Sequence, residues 1–108
     1  MNETEKQGVI EACQRAVEQA TAMGYSKFPL LEMIQASRWL LDELGDGKYQ
    51  GYAGDWARLL TKFALKCDTF NLRALGRGFP ASAVAVSLYR RDGEKDIKTF
   101  AEMKDGKP

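Results

Sequence analysis

The hydrophobic period of this 108-residue chain changes at Pro80. Before it, apolar residues recur every three or four positions, the spacing of one helix face. After it, ASAVAVSLYR sets Val84, Val86 and Leu88 on one side and Ala85, Ser87 and Tyr89 on the other, the spacing of a strand. RDGE follows, and Asp92-Gly93 is the strongest short signal for a two-residue hairpin loop. KDIKTFA then returns as a second strand. In that register Leu88 faces Ile97, Val86 faces Thr99, Tyr89 faces Asp96 and Ser87 faces Lys98, so the apolar face stays matched across the pair. The expectation is a C-terminal β-hairpin over residues 83–101.

Glycine and proline punctuate the rest. Residues 3–23 carry Val9, Cys13, Ala16, Val17, Ala20 and Met23 on one helical face, with Gly24 as the stop. That face is alanine-rich and shallow, suited to close contact with the domain or with a second copy of the chain. In SKFPLLEMIQASRWLLDELG, Ser26 reads as a cap and Pro29 as a first-turn residue, and Leu30, Ile34, Leu41 and Leu44 make a central core helix. DGKYQGYAGD is a turn-rich connector whose tyrosines, Tyr49 and Tyr52, read as cover for a core edge, with stacking on bases or a partner as the alternative. Asp55 reads as the N-cap of WARLLTKFALKC, in which Trp56, Leu59, Leu60, Phe63 and Leu65 form the apolar side and Arg58, Lys62 and Lys66 a basic stripe. Trp39, Trp56 and Phe63 read as core. Asp68 or Thr69 caps the next helix, where Leu72, Leu75 and Phe79 share a face and Arg73 and Arg77 share another. Gly76 reads as the start of that helix's C-terminus, and Gly78-Phe79-Pro80 as its end. The tail, residues 102–108, is polar and reads as frayed.

Charge is segregated along the chain. Residues 1–55 hold five basic and nine acidic groups, whereas residues 56–100 hold nine basic and four acidic ones. A basic second half points to a polyanion as partner. The 44% hydrophobic content is enough for one folded core, and no apolar run is long enough to span a membrane. MNETEKQ has neither the basic nor the apolar region of a secretory signal, and Cys13 and Cys67 share no motif spacing, so a cytoplasmic chain with reduced thiols is expected. The sequence contains no histidine. That removes the commonest general base and the commonest metal ligand, and with no other catalytic or metal motif a non-enzymatic chain without a cofactor is expected.

The order helix, short connector, helix, turn, helix, hairpin is that of a winged helix-turn-helix domain with an extra N-terminal helix. The expected fold is therefore α+β, mainly α, in a single domain. Residues 3–24 form the N-terminal docking or dimerisation helix, residues 26–101 the winged-helix-like core, and residues 102–108 the tail. Such a domain places the helix after the turn in the major groove and the hairpin along the backbone. The expected nucleic-acid contacts are Lys62, Lys66, Asn71, Arg73 and Arg77 on the helices and Arg90, Arg91, Lys95 and Lys98 on the wing. Arg90 opposite Lys95 would be a like-charge pair that a phosphate relieves, or two side chains splayed into water.

The run ARLL…NLRALGRGF…VSLYRRDGEKDIKTF, about residues 55–100, resembles the winged-helix segment at the C-terminal end of phage- and plasmid-type primase–helicases. There a leucine-rich helix precedes an R-x-L-G-R pattern and a basic hairpin. The resemblance implies DNA binding by Arg73, Arg77, Arg90, Arg91 and Lys95. It implies no catalysis, because the chain carries neither an ATPase nor a primase domain, and it breaks off at FPASA. The functional expectation is a small DNA-binding module, a regulator or replication accessory of a mobile element. The alternative is a protein-binding inhibitor or adaptor whose basic face meets an acidic partner or fills a nucleic-acid-binding groove.

Overall fold

The computed structural model describes residues 2–26 and 28–104, which form six α-helices and no β-sheet. The helices are α1 (Glu3–Ala22), α2 (Leu30–Glu43), α3 (Asp55–Lys66), α4 (Thr69–Leu75), α5 (Pro80–Asp92) and α6 (Lys95–Ala101). A single 3-10 turn, Gly47–Tyr49, lies in the connector between α2 and α3.

The expected α+β winged helix is overturned, because the segment read as a hairpin is α5 and α6. Pro80 opens α5 at its first turn, where a missing N–H costs nothing. The alternation that suggested a strand is mostly one of large and small side chains, not of buried and exposed ones. Ala81 through Val86 are all buried, and so is Leu88. A helix covered on every side has no polar stripe, so its 3.6-residue period cannot be read from hydrophobicity. Asp92-Gly93 terminates this helix instead of turning a hairpin. Gly93 adopts φ +74° and its N–H donates to the Tyr89 carbonyl at 2.9 Å. A hairpin turn and a helix end both favour a glycine at positive φ, so the dipeptide signals either.

The core sits around α5, which packs against all five other helices. Helix α2 contributes Met33, Ile34, Leu40 and Leu41, α6 contributes Ile97 and Phe100, and α1 lays Ala12, Ala16 and Ala20 inward. Each large core side chain adds about 1.5–3 kcal/mol through burial. The alanine face of α1 is thus spent within the domain, while Ile10 and Val17 beside it stay exposed. Asn2 caps α1, accepting from the Glu5 N–H at 2.8 Å and donating back to the Glu5 carboxylate at 3.1 Å. The connector after α2 is fastened by Asp42, whose carboxylate accepts from the N–H groups of Gly51 (3.2 Å) and Ala53 (3.1 Å). Of the two tyrosines read as core cover, Tyr49 is buried there, whereas Tyr52 is 53% exposed.

The two-turn reading of α4 holds. Asp68 caps it through the Asn71 N–H at 2.7 Å and Gly76 ends it. Gly76 also has a packing reason, since a Cβ there would lie 1.8 Å from Tyr25 Oη and 2.8 Å from Ala83 Cβ. Of the segment expected as a frayed tail, Met103 is buried and its carbonyl accepts from Arg38 at 2.5 Å. Residues 105–108 lie outside the described residues.

Candidate binding surfaces

Helix α3 is turned the opposite way from its expected orientation. Its buried residues are Ala57, Thr61 and Ala64. Trp56, Leu59 and Phe63 point outward with 59%, 69% and 59% of their surface exposed. The small side lets α3 lie close to α2 and α5, and Thr61 satisfies its buried hydroxyl by donating to the Ala57 carbonyl at 2.7 Å. The apolar stripe is thereby released to solvent, and Phe70, 80% exposed, follows on α4. Neither Trp56 nor Phe63 is core, and Trp39 is half-buried.

An aromatic cluster supports one end of this stripe. Trp56 meets Trp39 edge-on at 6.2 Å between ring centroids, and Phe79 at 5.5 Å. These rings border a groove of about 290 Å³ between α2, α3 and the start of α5. Along the other edge of the stripe run Arg58, Lys62 and Lys66, all exposed and, among the described residues, without an ion-pair partner. The outer side of α3 is therefore an apolar band with a cationic border.

The remaining predicted contacts are divided by the fold. Asn71 is exposed on α4 and Arg77 is exposed just beyond it. Lys95 and Lys98 are exposed on α6, which packs on α1, α2 and α5. They form no wing, and the register that set Arg90 opposite Lys95 does not exist. Arg73 and Arg90 hold helix ends. Arg73 donates through Nε to the Met23 carbonyl at the end of α1 (3.0 Å). Arg90 donates through Nη2 to the carbonyls of Leu65 (3.0 Å) and Cys67 (2.6 Å) at the end of α3. Arg38 does the same for α6, through Ala101 at 3.0 Å and Met103. The last carbonyls of a helix lack partners and carry partial negative charge, so a guanidinium satisfies both needs. Part of the basic second half is thus explained by helix ends within the domain.

Arg73 and Arg90 nonetheless border the same surface groove. With Arg91 they line a groove of about 410 Å³ between α1, α4 and α5. Arg91 pairs with Asp92 at 2.9 Å and reaches Gln19 at 3.5 Å. The expected fold also set Arg90 and Arg91 beside Arg73, but on a hairpin wing, whereas here they stand at the end of helix α5. The exposure of Trp56, Leu59 and Phe63 was missed. The available signal was the spacing of Ala57, Thr61 and Ala64, a small face that permits close packing.

Burial raises the Cys13 thiol above its ordinary value, and the thiols of Cys13 and Cys67 are both free. Among the described residues, no cluster of three or more cysteine, aspartate or glutamate side chains is arranged to hold a metal ion. Nor is any helix long and apolar enough to cross a membrane. Compared with protein-family models, curated proteins and solved structures, the chain finds no match.

Proposed function

We propose that the protein is a small binding module that docks the outer face of α3 into an apolar, acid-rimmed groove of a partner protein. The observation that carries this reading is the exposure of Trp56, Leu59 and Phe63 on successive turns. An amphipathic helix recognised in a groove presents anchors at this i, i+3, i+7 spacing. Trp56, held against Trp39 and Phe79, has little side-chain freedom left to lose, which suits an anchor. Arg58, Lys62 and Lys66 supply charge complementarity along one edge, which favours encounter with an acidic surface.

The test is quantitative. The wild-type chain is used to isolate a stoichiometric partner from nuclease-treated extract, and the purified pair is measured by calorimetry. Leu59→Asp and Phe63→Asp are each expected to weaken binding by 100-fold or more, about 2.7 kcal/mol, while the circular dichroism spectrum is unchanged. Lys62→Glu is expected to slow association and flatten its salt dependence. Partner binding that is indifferent to both aspartate variants would overturn the proposal.

A second reading is supported by the same face. Exposed aromatics interleaved with lysines suit a single-stranded nucleic acid, whose bases stack on π faces while phosphates meet cations. Phe63 and Phe70 beside Lys62 and Lys66 favour it. Leu59, the most exposed residue of the stripe, fits a protein groove better than a base. Quenching of tryptophan fluorescence by an oligonucleotide at low salt, lost in Phe63→Asp, would favour the nucleic acid.

A further inference from the structure

We infer that the groove between α1, α4 and α5 is an anion site that takes a compact phosphate group carried on a small molecule. Three guanidinium groups, of Arg73, Arg90 and Arg91, line one groove of about 410 Å³. The volume lies within the range of about 300–1,000 Å³ typical of small-ligand sites. The charges are poorly balanced. Among the described residues, Arg73 and Arg90 are fastened by backbone carbonyls and not by carboxylates, and only Arg91 has an acidic partner, Asp92 at 2.9 Å.

The fastening also orients the donors. Arg73 commits Nε to the Met23 carbonyl at 3.0 Å and holds Nη2 over Gly24, so its guanidinium is fixed in place with terminal N–H groups that have no hydrogen-bond partner among the described residues. Guanidinium N–H groups pair well with phosphate oxygens, and the rigid hold removes much of the ordering cost of binding. Arg90 commits Nη2 alone, leaving Nε and Nη1. Gln19 and Ser87 add polar atoms to the lining, although the Ser87 hydroxyl donates within the domain, to the Ala83 carbonyl at 2.8 Å. A phosphate group in the groove would supply the negative charge that Arg73 and Arg90 lack from any carboxylate among the described residues. The site is separate from the outer face of α3, so it does not depend on the proposed docking there.

The experiment is an amide-resolved NMR titration of the full chain at low ionic strength with inorganic phosphate and with adenosine 5′-monophosphate. Shifts are expected to concentrate on Gln19, Arg73, Ser87, Arg90 and Arg91. Equal responses to both probes identify the phosphate alone as the recognised group. A response to the nucleotide only assigns part of the affinity to the group attached. Arg91→Gln is expected to weaken binding about tenfold. Lys95→Gln, outside the groove, should change nothing. The inference is overturned by three results: no shift at about 10 mM of either probe, beyond the affinity of even a weak site; shifts spread evenly over Lys62, Lys66, Lys95 and Lys98; or an oligonucleotide that perturbs the groove while both small probes are inert. Preserved amide dispersion in Arg91→Gln keeps the mutant result readable.

Discussion

Arg15 on α1 and Asp96 on α6 form a two-point ion pair, Nε to Oδ2 at 2.7 Å and Nη2 to Oδ1 at 2.8 Å, with Asp96 only 1% exposed. The carboxylate raises the Arg15 guanidinium above its ordinary value, chiefly through the hydrogen bond. Neither residue stood out in the sequence, where Arg15 lay outside the apolar stripe of its helix and Asp96 in an expected strand. Removing one partner leaves the other uncompensated, which costs about 3–5 kcal/mol at a fully buried site. Arg15 retains 26% side-chain exposure, so Arg15→Met is expected toward the lower end of that range. Asp96→Asn should cost less than Asp96→Ala, because the amide keeps one acceptor. Urea denaturation of the three variants checks the order.

The orientation of α3 is testable by stability alone. Leu59→Gln and Phe63→Gln remove apolar groups from an exposed face and should change the unfolding free energy by no more than about 0.5 kcal/mol. Ala64→Leu puts a large side chain where α3 lies against its neighbours and should cost about 1–3 kcal/mol. The opposite ranking would mean that α3 is rotated.

Arg90 should behave as a structural residue before it behaves as a ligand-binding one. Arg90→Gln removes the donor shared by the carbonyls at the end of α3, and a loss of about 1–2 kcal/mol is expected. The amides of residues 64–68 should then exchange faster with solvent. A variant as stable as the wild type would show that these hydrogen bonds contribute nothing net.

Gly76→Ala should be destabilising by about 1–3 kcal/mol, because the added methyl meets the Tyr25 ring and Ala83. Combining it with Tyr25→Ala should reduce the penalty relative to the same glycine change in the wild type. A double-mutant cycle by thermal unfolding measures that coupling, and simple additivity would remove the contact as the cause.

Stability is expected to fall in alkali. Burial raises Cys13 above the ordinary 9.0, and Tyr25 and Tyr49 above the ordinary 10.0. Each folded group holds its proton more tightly than in the unfolded chain. The contribution is therefore complete below the ordinary value and is lost as pH rises through the raised one. Unfolding free energy should be flat toward pH 8 and decline from about pH 9 upward. Tyr25→Phe should reduce the slope above pH 10 at a constant cost elsewhere, since Tyr25 Oη donates to the Arg73 carbonyl at 2.6 Å.

The sequence by itself determined where the first four helices lie and how several of them end. Gly24 and Gly45 follow α1 and α2 closely, Asp68 caps α4, and Gly76 closes it. Those signals are local, since a cap or a glycine stop needs only the residues beside it. Only the tertiary structure decided that 80–101 is helical and that α3 turns its aromatic stripe outward. Alternating valine and alanine suits a strand and equally a helix buried all round, and the surrounding five helices select between them. An apolar stripe beside a small face leaves two sides able to pack, and the close approach of α2 and α5 takes the small one. The same packing separates Lys95 and Lys98 from Lys62 and Lys66, and brings Arg73, Arg90 and Arg91 to one groove.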